Sequence, residues 1–347
     1  MVAPQQRRMI VAYFGGIDVS LDSSSVCVID GTGKVMREAK VPSEPDALVA
    51  WFRGLDVGLE RIGLEAGPLC QWLYAGMREA GLAVELLETR HVRTGFKIMP
   101  VKTDRKDARG IAQLMRMGWF RPVHCKSVPA QEMRALLTAR RLVLNKRIDL
   151  EMGLRGILRG FGLKIGPTTP RTLEARVREL VEAHPTLEII AQALLAARTA
   201  LIAELKGVER RLVALARDDT RTRLLMSAPG VGVIVALTYV AAIDDPGRFK
   251  SSRSVGPHFG LTPKRYQSGE TDVTGRISKI GDAGVRAALY EAAAVILTRP
   301  VRGSMLKSWA ARLALRAGAR KAKVALARKL AVILHKDAHR RNTIRGR

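Results

Sequence analysis

Residues 10–42, IVAYFGGIDVSLDSSSVCVIDGTGKVMREAKVP, contain three short runs of β-branched and other apolar residues. Gly31-Thr32-Gly33 separates the second run from the third, and glycine allows the backbone conformations that tight turns need. The stretch therefore predicts three consecutive strands, the first of which ends at Asp18.

The segments that follow alternate between helical and strand patterns: PDALVAWFRGL (45–55), RIGLEA (61–66), CQWLYAGMREAG (70–81) and AVELLE (83–88). Three antiparallel strands followed by alternating helix and strand is the order of the ribonuclease-H-like fold. A doubly wound dinucleotide domain is excluded, because no GxGxxG follows the first strand. The sequence predicts an α/β domain in its first third.

Long helical stretches follow from about Val128 to Arg217, with breaks at residues 162–170 and at His184-Pro185. The last stretch repeats apolar residues in alternating steps of four and three: Leu201, Leu205, Val208, Leu212 and Leu215. This spacing is typical of a coiled-coil seam, and an amphipathic helix packed on its own domain stays open as the alternative. Either interpretation makes the region a spacer or a dimerisation element.

The remainder, residues 222–347, is predicted to be mainly helical. LLMSAPGVGVIVALTYVAAI (224–243) has two helical halves around Pro229-Gly230, which resembles a helix-hairpin-helix; a plain helical hairpin is the alternative. From Val301 onward the only acid is Asp337, so we expect a surface that contacts phosphates. Its cations include Arg312, Arg316, Arg320, Lys321, Lys323, Arg328 and Lys329.

The composition points to a nucleic-acid partner. The 347 residues include 59 Lys and Arg against 32 Asp and Glu, a formal net charge of +27. Such a surface attracts polyanions, although basic proteins without a specific nucleic-acid partner also exist. Three scattered cysteines form no CxxC pair, which indicates a reducing compartment and no structural zinc. Without a leader pattern or an uninterrupted apolar run of about 20 residues, the expected location is the cytoplasm.

Four acids are the candidate catalytic and metal-binding residues. Asp18 and Glu65 each end a predicted strand, while Asp104 and Asp107 lie three residues apart at the start of a predicted helix (104–118). Taken singly, each could be a helix cap or a surface residue. Converging carboxylates in so basic a protein would repel one another, which predicts one or two bound Mg²⁺ ions.

Ser268 is the candidate nucleophile. It precedes Gly269 in a segment rich in cations, namely Lys264, Arg265, Arg276, Lys279 and Arg286. Such a set suits the binding of a scissile phosphate and lowers the cost of deprotonating a hydroxyl. A Ser-Gly pair in a polar loop is more often a simple turn. No Ser-His-Asp arrangement is visible, which speaks against acyl transfer.

Several motifs together resemble the insertion-sequence-110 family of transposases, also called bridge recombinases, over nearly the whole chain. They are the strand ends GIDVS and GLEAG, KTDRKDA (102–108), the APGVG hairpin, and RYQSG followed by GRISKIGDAGVR. The resemblance implies a RuvC-like domain with an Asp-Glu-Asp-Asp metal site and a C-terminal domain with a catalytic serine in Tyr-x-Ser-Gly. These roles correspond to Asp18, Glu65, Asp104, Asp107 and Ser268. Gly67 departs from the family pattern, which more often has a small hydroxyl or thiol residue there.

The resemblance also implies the domain organisation and the reaction. The expected domains are a RuvC-like catalytic domain (8–125), a helical or coiled-coil spacer (128–217) and a C-terminal transposase domain (222–347). The enzyme would cut and rejoin donor and target DNA through a phosphoserine link, with Mg²⁺ as cofactor. A structured noncoding guide RNA would choose the sites, and the protein would act as a dimer that forms a tetramer at synapsis, in the bacterial cytoplasm near the nucleoid.

Two alternatives stay open at this stage. One is a magnesium-dependent junction nuclease that uses the four acids with water as nucleophile. The other is a non-catalytic nucleic-acid-binding protein in which the acids are structural. In the cationic tail, Arg320, Lys321 and Lys323 are the expected nucleic-acid contacts, together with the five cations around Ser268.

Overall fold

The computed structural model describes residues 12–90, 103–299 and 304–345, with side chains described as far as 339. The predictions for the first ten residues, for Lys102 and for Val301 lie outside these ranges. The chain divides into two compact units, with the boundary between Lys126 and Ser127. The division into three domains stays a prediction.

The first unit is a mixed α/β domain built on a five-stranded sheet. Its elements are β1 (Tyr13–Asp18), β2 (Ser23–Asp30), β3 (Val35–Pro42), α1 (Pro45–Arg53), β4 (Leu59–Glu65), α2 (Cys70–Glu79), β5 (Val84–Leu87) and α3 (Asp104–Met117). The strand order is β3-β2-β1-β4-β5. The first three strands pair antiparallel, and β4 lies parallel to both β1 and β5. The expected α/β domain with a central sheet is confirmed.

Side chains that alternate along the strands build a core on each face of this sheet. On one face Ile17, Ile62 and Leu64 pack with residues of α1 and α2. On the other face Phe14 and Cys27 pack against α3. The sheet is therefore covered by helices on both faces, and α3 alone defines the second face.

Two glycines bring α3 unusually close to the sheet. A Cβ on Gly16 would lie 2.2 Å from the Ala108 carbonyl oxygen and 2.5 Å from the Ala112 nitrogen. A Cβ on Gly63 would lie 2.6 Å from a methyl group of Ile111. The helix backbone thus rests directly on the sheet, and no larger residue fits at Gly16 without moving it.

We expect Gly16→Ala to lower the free energy of unfolding of the first unit by about 2 kcal/mol or more, because the added methyl meets backbone atoms that cannot rotate away. Calorimetry or denaturant titration of the full chain would measure this. Gly58→Ala is the matched control, since its added Cβ meets nothing within 4 Å and the change should stay within about 0.5 kcal/mol. Equal stability of the two variants would contradict the close contact.

The second unit is mostly helical. Its helices are α4 (Val128–Gly160), α5 (Leu173–Val181), α6 (Pro185–Asp218), α7 (Thr220–Met226), α8 (Val233–Ile243), α9 (Val255–His258), α10 (Ala283–Thr298), α11 (Met305–Ala317) and α12 (Ala319–Arg345). Its two strands, β6 (Pro263–Ser268) and β7 (Thr271–Ile277), form a hairpin. The main core surrounds Tyr239, whose hydroxyl donates a hydrogen bond to the Ala331 carbonyl at 2.6 Å. The predicted mainly helical C-terminal region is confirmed.

The leucine repeat lies on α6 and packs in part within its own unit. Leu205 and Leu212 are buried, and Val208 and Leu212 belong to a cluster with Leu136 of α4 and Leu237 of α8. The alternative of an amphipathic helix packed on its own domain accounts for these contacts. Pairing of α6 with a second copy of the chain stays a prediction.

Helix α6 is also long and apolar enough to cross a membrane by length and composition, with an 18-residue window of mean hydropathy 1.5. It meets the criterion although the sequence has no uninterrupted apolar run of that length, because the window may include charged residues. The criterion is weak, since core helices also meet it. Leu212 and Ala216 of this helix pack inside the second unit.

Candidate active site

Asp18 and Glu65 lie side by side at one edge of the sheet. They are the last residues of β1 and β4, whose parallel register pairs Ile17 with Leu64 immediately before them. Neighbouring strands lie about 4.8 Å apart. Gly16 and Gly63, two residues earlier on each strand, face α3, and alternation places both acids on that same face. The sheet thus presents a pair of carboxylates below the start of α3.

The second pair of acids lies in the first turn of α3. The Thr103 hydroxyl caps this helix by accepting a hydrogen bond from the Lys106 N–H at 3.3 Å. Asp104 is exposed, whereas Asp107 is 7% exposed and directly precedes Ala108, the residue that touches Gly16. Because the helix starts at the edge where β1 and β4 end, the two pairs of acids approach one another there. The positive helix terminus also favours carboxylates at these positions.

A cleft of about 480 Å³ opens beside this edge. Its lining residues are Ser25, Glu38, Ala39, Lys40, Thr103, Asp104 and Arg105. Ser25 pairs with Asp18 across the β1–β2 ladder, so the cleft adjoins the end of β1. It carries both cations and an exposed carboxylate, which suits a phosphate group approaching with a metal ion.

A metal ion in this place would find hard ligands only. Carboxylate oxygens are the donors that Mg²⁺ and similar divalent ions prefer, so the donor chemistry of the four acids fits such an ion. Within the described parts of the chain, no group of three or more His, Cys, Asp or Glu side chains lies close enough together to hold an ion. The structure therefore brings together the pair at the strand ends and the pair at the helix start, without closing them into one coordination shell.

Ser268 lies at the tip of the β6–β7 hairpin in the second unit. It is the last residue of β6 and pairs with Thr271, while Gly269 turns the chain with φ +55°. The hairpin residues 263–276 are all exposed. The hydroxyl is thus carried on a projecting arm and is accessible to a large substrate.

The five cations expected around Ser268 have different roles. Arg265 pairs with Asp272 across the hairpin through two hydrogen bonds of 2.8 and 2.6 Å. Arg286 donates to the carbonyl oxygens of Phe259, Ile280 and Gly281 at 3.0–3.1 Å. The other three, Lys264, Arg276 and Lys279, are exposed. Arg286 is thus placed at the base of the hairpin, where it binds backbone.

The base of the hairpin is a tight backbone junction. The Lys279 N–H donates to the Gly260 carbonyl at 3.1 Å, and the Ser278 N–H donates to the Thr262 carbonyl at 2.8 Å. Gly260 and Gly281 both have positive φ, and a Cβ on either would lie 2.2 Å from a facing carbonyl oxygen. A rigid base therefore supports the exposed arm.

We expect Arg286→Ala and Arg276→Ala to differ in kind. Loss of the Arg286 hydrogen bonds should lower the free energy of unfolding by about 2 kcal/mol, because three carbonyls lose a charged donor. Arg276→Ala should leave stability unchanged and reduce the salt dependence of DNA binding by about one phosphate contact. Thermal unfolding and binding titrations at several salt concentrations would measure both effects. A stable Arg286→Ala protein with weakened DNA binding would contradict this assignment.

The two other predicted contact regions also lie in the second unit. Helices α7 and α8 flank the Pro229-Gly230 turn, where Gly230 has φ +75° and a Cβ would lie 2.6 Å from the Ala292 carbonyl oxygen. Arg320 and Lys321 are exposed in the first turn of α12. Lys323 lies over the Tyr290 ring at 5.8 Å.

Sequence reasoning missed two features of the site. One is the pair Gly16 and Gly63, although a signal was present, since each glycine stands two residues before an acid in Gly-Ile-Asp and Gly-Leu-Glu. The other is Glu38, which contacts Arg105 and Arg109 of α3. No local pattern marks Glu38, because its partners are 67 and 71 residues away.

Comparison with known proteins decides the family. A family model for DEDD transposases of the IS110 type, described as "Transposase", matches residues 15–162, and one described as "Transposase IS116/IS110/IS902 family" matches residues 222–306. The transposase for insertion sequence element IS1111A of Coxiella burnetii is 30% identical over 336 residues, which are 95% of this chain and 90% of the relative. The chain belongs to the IS110 family of transposases.

Further relatives agree with this membership. A probable family 20 transposase of Pseudomonas aeruginosa is 28% identical over 293 residues, 79% of this chain and 82% of the relative. Transposases cleave DNA and transfer its strands, so this IS110-family transposase is an enzyme that acts on DNA. The first matched region contains all four acids, and the second contains Ser268.

Proposed function

We propose that this transposase cuts and rejoins DNA with Ser268 as nucleophile and with Asp18, Glu65, Asp104 and Asp107 as the metal-binding acids. The observation that carries the proposal is the placement of the acids: two end adjacent parallel strands, and two begin the helix packed over those strand ends. The exposed position of Ser268 on a hairpin tip supports its role.

The proposed step conserves the phosphodiester energy. The Ser268 Oγ–phosphorus bond forms as the bond from phosphorus to the 3′ oxygen breaks, and the serine proton ends on the departing 3′ oxygen. The products are a 5′-phosphoserine link and a free 3′ hydroxyl. Attack by the 3′ hydroxyl of another strand reverses the step and joins the new ends, so no high-energy cofactor is needed.

The acids and the cations prepare this step. A bound Mg²⁺ ion would supply neutralisation of the phosphate charge and polarisation of its oxygens. Asp18 and Glu65 are fixed by the ends of their strands, and Asp107 is held by burial under α3. Lys264, Arg276 and Lys279 are exposed on the hairpin and can hold the DNA backbone beside Ser268.

We also infer a ribonuclease-H-like fold for the first unit, supported by the strand order β3-β2-β1-β4-β5 with three antiparallel strands first. The net charge of +27 supports simultaneous binding of DNA and a structured guide RNA, whose loops would select the donor and target sites. Location in the bacterial cytoplasm, where the DNA lies, fits this activity.

Assembly is part of the same proposal. The acids and the serine lie in different units, and α6 offers a leucine repeat for pairing of two copies. A dimer, and a tetramer at synapsis, would let the acids of one subunit act with Ser268 of another. Mixing Ser268→Ala protein with Asp104→Ala protein tests this, because composite sites should recover activity and two inactive sets should not.

A nicked DNA duplex tests the function directly. When the nick lies a few nucleotides upstream of the cleavage site, the short fragment with the 3′ hydroxyl dissociates and the phosphoserine link is trapped. Mass spectrometry of the digested adduct should locate the DNA on Ser268, in reactions that contain guide RNA and Mg²⁺. A free 5′ phosphate without an adduct would instead favour a nuclease that uses water, and intact DNA would favour a protein that only binds.

A further inference from the structure

Glu38 joins the edge strand β3 to the helix that carries two of the proposed metal ligands. It pairs with Cys27 in the β2–β3 ladder, and Cys27 lies in the core beneath α3. Its carboxylate accepts hydrogen bonds from Arg105 Nε at 2.5 Å and Arg109 Nη2 at 2.7 Å, and a third from Arg109 Nε. One carboxylate thus binds two guanidinium groups that are one helical turn apart.

The environment makes this contact more than a surface ion pair. The Glu38 side chain is 7% exposed, so an unpaired carboxylate there would be costly. The Arg109 hydrogen bond is the main cause that holds the pKa of Glu38 at about 2 against the opposing effect of burial. A lowered pKa means that the contribution of the pair is present above the ordinary glutamate pKa and is lost only as the pH falls through about 2. The pair is therefore fully formed at neutral pH.

The two arginines are close in sequence to the proposed ligands. Arg105 follows Asp104, and Asp107 lies between Arg105 and Arg109 in the first two turns of α3. Asp104, Arg105 and Glu38 line the same cleft. A guanidinium without a partner so close to two carboxylates would pair with them, since bidentate arginine–carboxylate contacts are strong. Such a pair would compete with a metal ion for the same oxygens.

We propose that Glu38 is a positioning residue for the metal site, because it holds Arg105 and Arg109 against β3 and so keeps their guanidinium groups from pairing with Asp104 and Asp107. The inference rests on the proposed function, in which these two acids bind the metal ion. Glu38 itself touches neither metal nor DNA in this role.

Calorimetric titration of the full-length protein with Mn²⁺ tests the inference without depending on activity. Glu38→Gln should weaken Mn²⁺ binding by about tenfold, the lower end for the loss of an outer contact of a metal site. The triple variant Glu38→Gln, Arg105→Gln, Arg109→Gln should bind within about threefold of wild type, because the released cations are gone. Glu79→Gln, which removes an exposed carboxylate at the end of α2, is the charge control and should bind as wild type.

The results separate the possible failures. Wild-type affinity in Glu38→Gln would overturn the inference, and so would a triple variant as weak as Glu38→Gln, since that pattern means that Glu38 only supports the fold. If Glu38→Gln does not fold, the triple variant decides, because it leaves no buried charge unpaired. A wild-type protein whose Mn²⁺ binding equals that of Asp104→Asn, Asp107→Asn protein would overturn the proposed metal site and the inference together.

Discussion

Ser268→Ala should abolish the covalent protein–DNA adduct and lower strand transfer by about 10⁴-fold or more, because removal of the nucleophile of a covalent mechanism leaves only binding and charge stabilisation. The substitution should not affect folding, since Ser268 is exposed at the hairpin tip. Quantification of trapped adduct and of joined product, with wild type and variant at equal DNA occupancy, would measure the effect.

Thr271→Ala is the matched control for this substitution. Thr271 carries an exposed hydroxyl directly across the same hairpin turn. Its removal should change strand transfer by less than about threefold, because it alters the same surface without removing the nucleophile. Near-normal cleavage by Ser268→Ala protein would reject the phosphoserine mechanism, and it would favour water as the nucleophile at the acid site.

Asp18→Asn should lower DNA cleavage and joining by about 10³-fold. A divalent ion contributes several kcal/mol of charge stabilisation, and each 1.36 kcal/mol corresponds to a factor of ten in rate. The amide keeps the size of the side chain at the end of β1, so the fold should be retained. Rates measured over a series of Mg²⁺ or Mn²⁺ concentrations, together with Mn²⁺ titration, would separate weaker metal binding from slower chemistry.

Asp22→Asn provides the comparison for the loss of charge. Asp22 is an exposed carboxylate in the turn that follows Asp18. It lies outside the proposed site, so its substitution should leave the rate and the metal requirement within about twofold of wild type. An Asp18→Asn protein that keeps full activity and metal dependence would remove Asp18 from the mechanism.

Much of the first unit could be predicted from local patterns. The strand β3 begins and ends at the predicted residues, Val35 and Pro42, and β1 and β4 end at Asp18 and Glu65 as the apolar runs indicate. These features depend on side-chain alternation and on glycine turns, which a short stretch of sequence contains. The order of the elements then places the two acids side by side.

Contacts between distant residues could not be predicted in the same way. Arg286 resembles a phosphate ligand in the sequence, yet three backbone carbonyls occupy its guanidinium. Its partners depend on how the chain folds back around Gly260 and Gly281, which no local pattern specifies. The β6–β7 hairpin did have a local signal, because Val273 and Ile277 follow the turn at Gly269 with the spacing of a strand.

The exposed hairpin also gives a place to attach a chemical probe. A cysteine introduced at Glu270, beside the nucleophile, would be accessible to maleimide reagents. The native thiols compete poorly: Cys27 and Cys70 are buried with raised pKa, Cys27 to about 12, and Cys125 is half-buried. A fluorophore or photo-crosslinker could therefore be introduced at one chosen point and used to follow DNA as it approaches and leaves Ser268.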